Sequence, residues 1–202
     1  MKKSKIWTSI VEAIVVTLII TVWIIWVFNI YTNAQKLSIT SKNRLTASLI
    51  ARDWIEALTN IRDTNWKIFS ANNTNCWNVK DYNSNCITDP NLIIQPWSYK
   101  IYKSNNNRWY LSSVSANETR DFDANYRNDY KVMLDDDWLY TQSWWTQELI
   151  PTFTRELKIS YDSTTPANQK MKINSIVKWV DNSLKTPHKV EFETVLSNWK
   201  KN

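Results

Sequence analysis

Thr8-Ser9-Ile10-Val11-Glu12-Ala13-Ile14-Val15-Val16-Thr17-Leu18-Ile19-Ile20-Thr21-Val22-Trp23-Ile24-Ile25-Trp26-Val27-Phe28-Asn29-Ile30-Tyr31 decides the architecture. After Glu12 the next charge is Lys36, so residues 13–35 form an uncharged run of 23 residues. A transmembrane helix needs about 20 mostly apolar residues, and this run is long enough. A carboxylate at the mouth of such a helix is costly without a partner, which makes Glu12 a functional candidate. Ahead of it stands the basic leader Met1-Lys2-Lys3-Ser4-Lys5-Ile6-Trp7. Its charge predicts an N-terminus in the cytoplasm and everything after Tyr31 outside.

Two plainer readings compete. A cleaved secretory signal has an apolar core of about 7–15 residues and a small-residue cleavage site. Here the run is longer, Glu12 interrupts its start and no Ala-x-Ala site follows. A simple uncleaved anchor accounts for the length but gives no role to Glu12.

Helical character continues past the apolar run. Residues 35–66 contain no proline, and Ala47, Ile50, Ala51, Trp54, Leu58 and Ile61 recur at spacings of three and four. That is one stripe of an amphipathic helix, with Lys42, Arg44, Arg52 and Glu56 free to face water. A helix from Thr8 to Trp66 would be roughly 90 Å long at 1.5 Å per residue. Its outer half must pack on something, because an isolated stripe is marginal in water. The sheet that follows is the expected partner. Residues 72–90 are rich in Asn, Asp, Ser and Thr and read as a surface loop. Cys76 and Cys86 lie in it, on the oxidising side of the predicted topology. A disulfide is expected there, with two unpaired thiols as the alternative. Two cysteines without a nearby histidine do not complete a zinc shell.

The remainder reads as strands. Residues 98–103 and 108–113 suit a hairpin, and 130–134 and 139–142 flank a turn at Asp135-Asp136-Asp137-Trp138. Phe153, Arg155, Leu157, Ile159 and Tyr161 alternate with Thr154, Glu156, Lys158 and Ser160. Met171, Ile173, Ser175, Val177 and Trp179 alternate likewise, as do Val190, Phe192, Thr194 and Leu196. This period predicts antiparallel strands with one buried and one wet face. The expected fold is α+β: a long N-terminal transmembrane-plus-amphipathic helix packed on an antiparallel β-sheet head. Its segments are a leader (1–7), a transmembrane helix (8–34), the outer half of that helix (35–70) and an extracytoplasmic β-rich head (71–202).

The composition is skewed. Among 202 residues there are 13 tryptophans and no glycine, where average usage of about 7% predicts roughly 14 glycines. Many tryptophans stand where glycine chemistry is wanted. Trp138 follows aspartates at a hairpin turn, Trp97 follows Pro96, and Trp144-Trp145 lies in a polar connector. Some bacterial lineages read the codon UGA as glycine where common tables read tryptophan. Most of the 13 are therefore expected to be glycine, with a large aromatic fitting best at Trp66, Trp179 and Trp199. The alternative is a genuinely tryptophan-rich chain, such as a carbohydrate binder with stacking rings.

The basic leader, Glu12 and the apolar helix resemble the N-terminus of type IV prepilins and pseudopilins. In that family the leader is cut just before the helix and a glutamate stands at the fifth mature position. Cleavage between Trp7 and Thr8 gives Glu12 that place. The family has glycine before the cut, and this chain has Trp7. Ala51-Arg52-Asp53-Trp54-Ile55-Glu56-Ala57-Leu58 and the residues to Trp66 resemble the helix end of PilV-like minor pilins, where glycine is usual at the place of Trp54. Phe153-Thr154-Arg155, Val177-Lys178-Trp179 and Leu196-Ser197-Asn198-Trp199 look like later strands of the same group. The resemblance implies cleavage by a prepilin peptidase, N-methylation of Thr8, and assembly with other pilin subunits at an inner-membrane platform. It also implies a single-pass inner-membrane precursor that moves to an extracellular pilus. A type II secretion pseudopilin and a signal-anchored envelope binding module remain alternatives.

Other chemistry is thinly represented. The Asp135-Asp136-Asp137 cluster could hold calcium, although a turn accounts for it. His188 is the sole histidine and is expected at a surface strand edge. No Ser/His/Asp arrangement, phosphate loop or catalytic acid pair can be assembled, so neither an enzyme nor a cofactor is expected. The net charge of +6 falls by three when Lys2, Lys3 and Lys5 leave with the leader. That is too mild to point to nucleic acid.

Overall fold

The computed structural model describes residues 4–104, 106–116, 121–134, 140–142, 148–162, 170–180 and 187–198. One helix, α1, spans Ser4–Ile68. It starts ahead of the expected Thr8, so the leader from Ser4 onward is already helical. The stretch has neither proline nor glycine to interrupt it. It closes where the Phe69 amide donates to the Asn65 carbonyl at 2.8 Å, with Lys67 in the last turn facing the negative end of the helix dipole.

Internal contacts divide the chain into two compact units, residues 1–44 and 45–202. The sequence places a boundary at residue 70, by composition. Packing assigns α1 from Leu45 onward to the same unit as the sheet, because the stripe beginning at Ala47 is buried there. In the first unit, the large apolar side chains between Ile10 and Tyr31 are exposed on every side of the helix. A helix apolar all round needs lipid or other helices about it. This helix is long and apolar enough to cross a membrane, with a mean hydropathy of 2.6 in its most apolar window. Thr17 and Thr21 satisfy their hydroxyls locally, donating to the Ile14 and Thr17 carbonyls at 2.9 and 2.7 Å.

The second unit holds a seven-stranded antiparallel sheet. Its strands are β1 (Trp97–Lys103), β2 (Trp109–Ala116), β3 (Lys131–Leu134), β4 (Tyr140–Thr141), β5 (Glu148–Tyr161), β6 (Lys170–Trp179) and β7 (His188–Ser197). The fourteen-residue β5 is the organising strand. One of its edges pairs with β6 from Phe153 to Tyr161, and it also pairs with β3 and, at Leu157 and Lys158, with β1. β1 and β2 form the expected hairpin. β7 pairs only with β6 among the described strands and stands at the edge of the described sheet. Its alternation is mostly exposed: Phe192 and Val195 are open, and only Leu196 is buried. Lys189, Glu191 and Glu193 stand along the same strand, with Lys189 paired to Glu191 and Lys172 of β6 to Glu193.

Two apolar clusters tie α1 to the sheet. One gathers Trp54, Leu58, Ile61 and Trp66 with Tyr99, Ile101, Leu157, Ile159 and Ile173. The other gathers Ala47, Ile50 and Ala51 with Val132, Phe153, Val177 and Trp179. A buried Leu or Ile contributes about 1.5–3 kcal/mol. Polar pins reinforce the join. Ser175 Oγ donates to the Ala51 carbonyl at 2.9 Å, and Trp66 Nε1 donates to Asn198 Oδ1 at 3.1 Å.

Residues 72–90 are only in part the surface loop their composition suggests: Asn83, Ser84, Asn85, Ile87 and Thr88 are exposed. The segment folds into short helical turns, including α2 (Asn73–Cys76), and Cys76, Trp77, Asn78, Val79 and Cys86 are buried. Asn65 Nδ2 holds the segment to the end of α1 by donating to the Trp77 and Val79 carbonyls at 3.1 and 2.9 Å. Cys76 and Cys86 are joined by a disulfide across a sequence separation of 10. A second difference is α3 (Ala124–Asp129), capped by Asp123, whose carboxylate accepts from the Tyr126 amide at 2.6 Å. It covers the outer face of β5, so Thr154 and Glu156 are buried as well as Phe153, Arg155 and Leu157. The expectation of one wet face fails at this point. The Asp135–Trp138 turn, Trp144, Trp145 and Trp199 lie outside the described residues.

Two measurements test this packing on the full chain in detergent. Burial pushes the Tyr99 phenol up to about 12 from 10.0, against the opposing pull of its hydrogen bond to Gln95. The folded chain therefore keeps Tyr99 neutral where the unfolded chain ionises it. Stability should hold below pH 10 and fall as pH rises towards about 12, and Tyr99→Phe should flatten that fall. A melting temperature indifferent to pH across the window refutes the placement. Reducing the Cys76–Cys86 bond should lower the unfolding free energy by about 2–3 kcal/mol in a denaturant titration.

Candidate functional site

Two places combine exposure or burial with charge in ways that packing alone does not require. The first is the N-terminal part of α1. Thr8 and Glu12 are four residues apart in the helical backbone and differ in height by about 6 Å. The side chain of Glu12 is exposed on the helix surface. Beyond it, Ile20, Trp23, Ile24, Val27, Phe28 and Tyr31 make one apolar stripe along the outside of the helix. Its far end turns polar at Tyr31, whose hydroxyl accepts from Gln35 Nε2 at 3.0 Å. The geometry is that of an exposed apolar rod with one acid near its N-terminal end. Thr8 and Trp7 lie within the helical backbone.

The second place is the centre of β5, where adjacent residues bury opposite charges on opposite faces. Glu156 is 2% exposed on the α3 side. Its carboxylate accepts from Ser98 Oγ and from the Tyr126 hydroxyl, each at 2.8 Å, with Lys158 Nζ at 3.8 Å. Lys178 stands over the Tyr126 ring, 4.1 Å from its centroid. Burial pulls the Lys178 pKa down, and the Glu156 charge opposes that pull. This is a satisfied polar network, which is the form in which a buried charge is tolerated.

Arg155 is different. It is 0% exposed on the α1 side, at the seam between the two apolar clusters, with Phe153 on one side of it along the strand and Leu157 on the other. Its guanidinium carbon lies 3.4 Å from the centroid of the Trp54 ring. Nε, Nη1 and Nη2 have no hydrogen-bond partner, and neither has Trp54 Nε1. Burial drives the guanidinium pKa well below its ordinary value, with the charge of Asp53 opposing.

The other residues singled out by sequence are placed as follows. Cys76 and Cys86 form a buried pair. His188 opens β7 and stacks on Trp179, ring centroids 5.3 Å apart. Asp135–Asp137 falls outside the described residues, among which no group of three or more His, Cys, Asp or Glu side chains is placed to hold a metal. Sequence reasoning places Arg155 on the inward register of β5 but not its isolation, which depends on what α1 puts opposite it. The burial of Glu156 has no sequence signal, because α3 is a six-residue helix marked only by Asp123.

Family models, curated proteins and solved structures were compared with the chain, and none matches.

The Glu156 network predicts a directional cost. Tyr126→Phe removes one donor from a buried carboxylate and should destabilise the full chain by about 1–3 kcal/mol in a denaturant titration. An unchanged midpoint would show that solvent reaches Glu156.

Proposed function

We propose that this chain is a PilV-like minor pilin of the type IV kind, a structural subunit that enters or primes a pilus-like filament. The single observation that carries the reading is an exposed apolar helix with one carboxylate at its entrance, Glu12. The antiparallel sheet packed on the outer part of that helix is compatible with the layout. A prepilin peptidase cuts between Trp7 and Thr8 and leaves a positively charged amine on Thr8, which is then methylated. The acid and the amine then do the registering. A carboxylate left unpaired among apolar helices costs a few kcal/mol. When a subunit docks in register, its Glu12 meets the Thr8 amine of its neighbour, and both charges are answered. A subunit out of register leaves two bare charges, so the assembly rejects it. The exposed stripe from Ile20 to Tyr31 then packs against other subunits' helices, with Thr17 and Thr21 already satisfied by their own backbone. The precursor sits in the cytoplasmic membrane with its N-terminus inside, and the mature subunit leaves with the filament. A type II secretion pseudopilus would use the same chemistry.

One observation favours the second reading, an anchored envelope binding module. Tyr102 stacks on Tyr110 at 6.0 Å, Tyr82 meets Tyr110 edge-on at 5.8 Å, and Arg108 lies 5.3 Å from the centre of the Tyr82 ring. Asp81 and Tyr82 beside them hold positive φ angles of 60° and 55°, a conformation costly for a residue as bulky as tyrosine.

Mass spectrometry of the protein from the cells that make it tests the assignment. An N-methylated Thr8 as first residue is expected, in appendages sheared from the cell surface. Glu12→Ala should still insert and be cut but should enter filaments poorly. An intact Met1, or undiminished incorporation of the Glu12→Ala chain, rejects the mechanism.

A further inference from the structure

We infer that the residue the cell places at position 54 is glycine, and that the bare turn of α1 it leaves is where the Arg155 guanidinium docks. The pilin resemblance also has glycine at this place, but the structural argument and its test do not depend on filament assembly. It begins at the seam between helix and sheet. With tryptophan at 54, the two largest side chains there meet face to face, 3.4 Å from guanidinium carbon to ring centroid, and neither is satisfied. The three guanidinium nitrogens and the indole nitrogen all lack acceptors although every one is buried. A ring face attracts a cation and accepts an N–H only weakly, which does not replace the water that five N–H groups have lost. A buried charge is retained when hydrogen bonds replace its solvent, as they do for Glu156 on the other face of the same strand.

Trp66 shows how a well-placed tryptophan sits in this protein. It lies three turns further along α1, its Nε1 donates to Asn198 Oδ1 at 3.1 Å, and the Arg62 guanidinium that packs on it at 4.5 Å is ion-paired to Asp63 at 2.9 Å. The same helix thus carries one indole with its polar atom paired and another whose polar atom is orphaned against an orphaned cation. The composition supplies an independent reason for the second, since the chain has 13 tryptophans and no glycine. Glycine at 54 removes the ring directly beneath the guanidinium. The space it vacates admits water, or the neighbouring Asp53 carboxylate, to the Arg155 donors. It also bares the α1 backbone at the point where the helix meets β5, and allows the close approach for which Gly is used. Arg155 is then a positioning residue that fixes the helix on the sheet.

Tryptic peptides decide the matter. Cleavage after Arg52 and Arg62 yields residues 53–62, which contain position 54 and no other tryptophan, and cleavage after Lys67 yields residues 63–67 with Trp66. In protein from the cells that make it, the first peptide should carry glycine and the second tryptophan. Tryptophan in the 53–62 peptide overturns the inference whatever the N-terminus proves to be. A physical readout accompanies it. In a host that inserts tryptophan, the full chain in detergent should melt at a lower temperature than its Trp54→Gly variant. Emptying a site built for an indole would do the reverse, so a lower melting temperature for Trp54→Gly also overturns the inference. Trp66→Gly is the control and should melt lower.

Discussion

The inward face of the sheet is covered by the stripe of α1 that begins at Ala47, joined by Trp77 and Ile94 of the segment that follows the helix. Ile50, Ala51, Trp54, Leu58 and Ile61 are each at most 2% exposed, and the strands opposite contribute Leu157, Ile159, Ile173 and Val177 at 0%. Helix and sheet therefore stabilise each other: the stripe alone is marginal in water, and a one-faced sheet without its cover leaves a large apolar surface open. The disulfide segment and the chain's end attach to this join through Asn65, Trp66 and Asn198.

Most of the architecture was legible because it rests on periodicity. Spacings of three and four marked the stripe from Ala47 to Ile61; alternation marked β6 to within a residue and β5 from Phe153 onward but not from its start at Glu148, and the hairpin reading found β1 and β2, the latter three residues short of Ala116. Failures occurred where burial is decided by a distant element. Residues 72–90 look hydrophilic, yet Asn65 and the Cys76–Cys86 bond draw Trp77 and Val79 inside. The outer face of β5 reads as wet because its cover, α3, is too short to show a period. β7 alternates as cleanly as β6, but only its Leu196 is buried in a cluster with α1 and Val190 packs at the border of the other, so the strand buries little. At the candidate site, Glu12 stands out in the sequence as an acid beside 23 uncharged residues, where snorkelling to a membrane interface is the plainer reading, and the structure adds that it is exposed on the helix surface. The isolation of Arg155 was not legible, since it depends on the side chain that α1 sets against it.

The two buried charges of β5 illustrate how context fixes the meaning of a residue type. Glu156 has two hydroxyl donors and a nearby ammonium, and behaves as a structural anchor. Arg155, one residue away, has a ring face and no acceptor. Adjacent strand residues face opposite ways, so a one-residue shift moves a charge from a completed network to an incomplete one.

The edge position of β7 bears on how such heads live side by side. Were this helix to cross a membrane, the chains it tethers would share a plane, where local concentration is high and collisions are frequent. An edge strand is a template for ribbon growth between neighbours. Along this one, Lys189, Glu191 and Glu193 interrupt the apolar run that holds Phe192 and Val195. Two such strands brought together would bury or oppose those charges, so the heads can crowd without fusing into a continuous sheet.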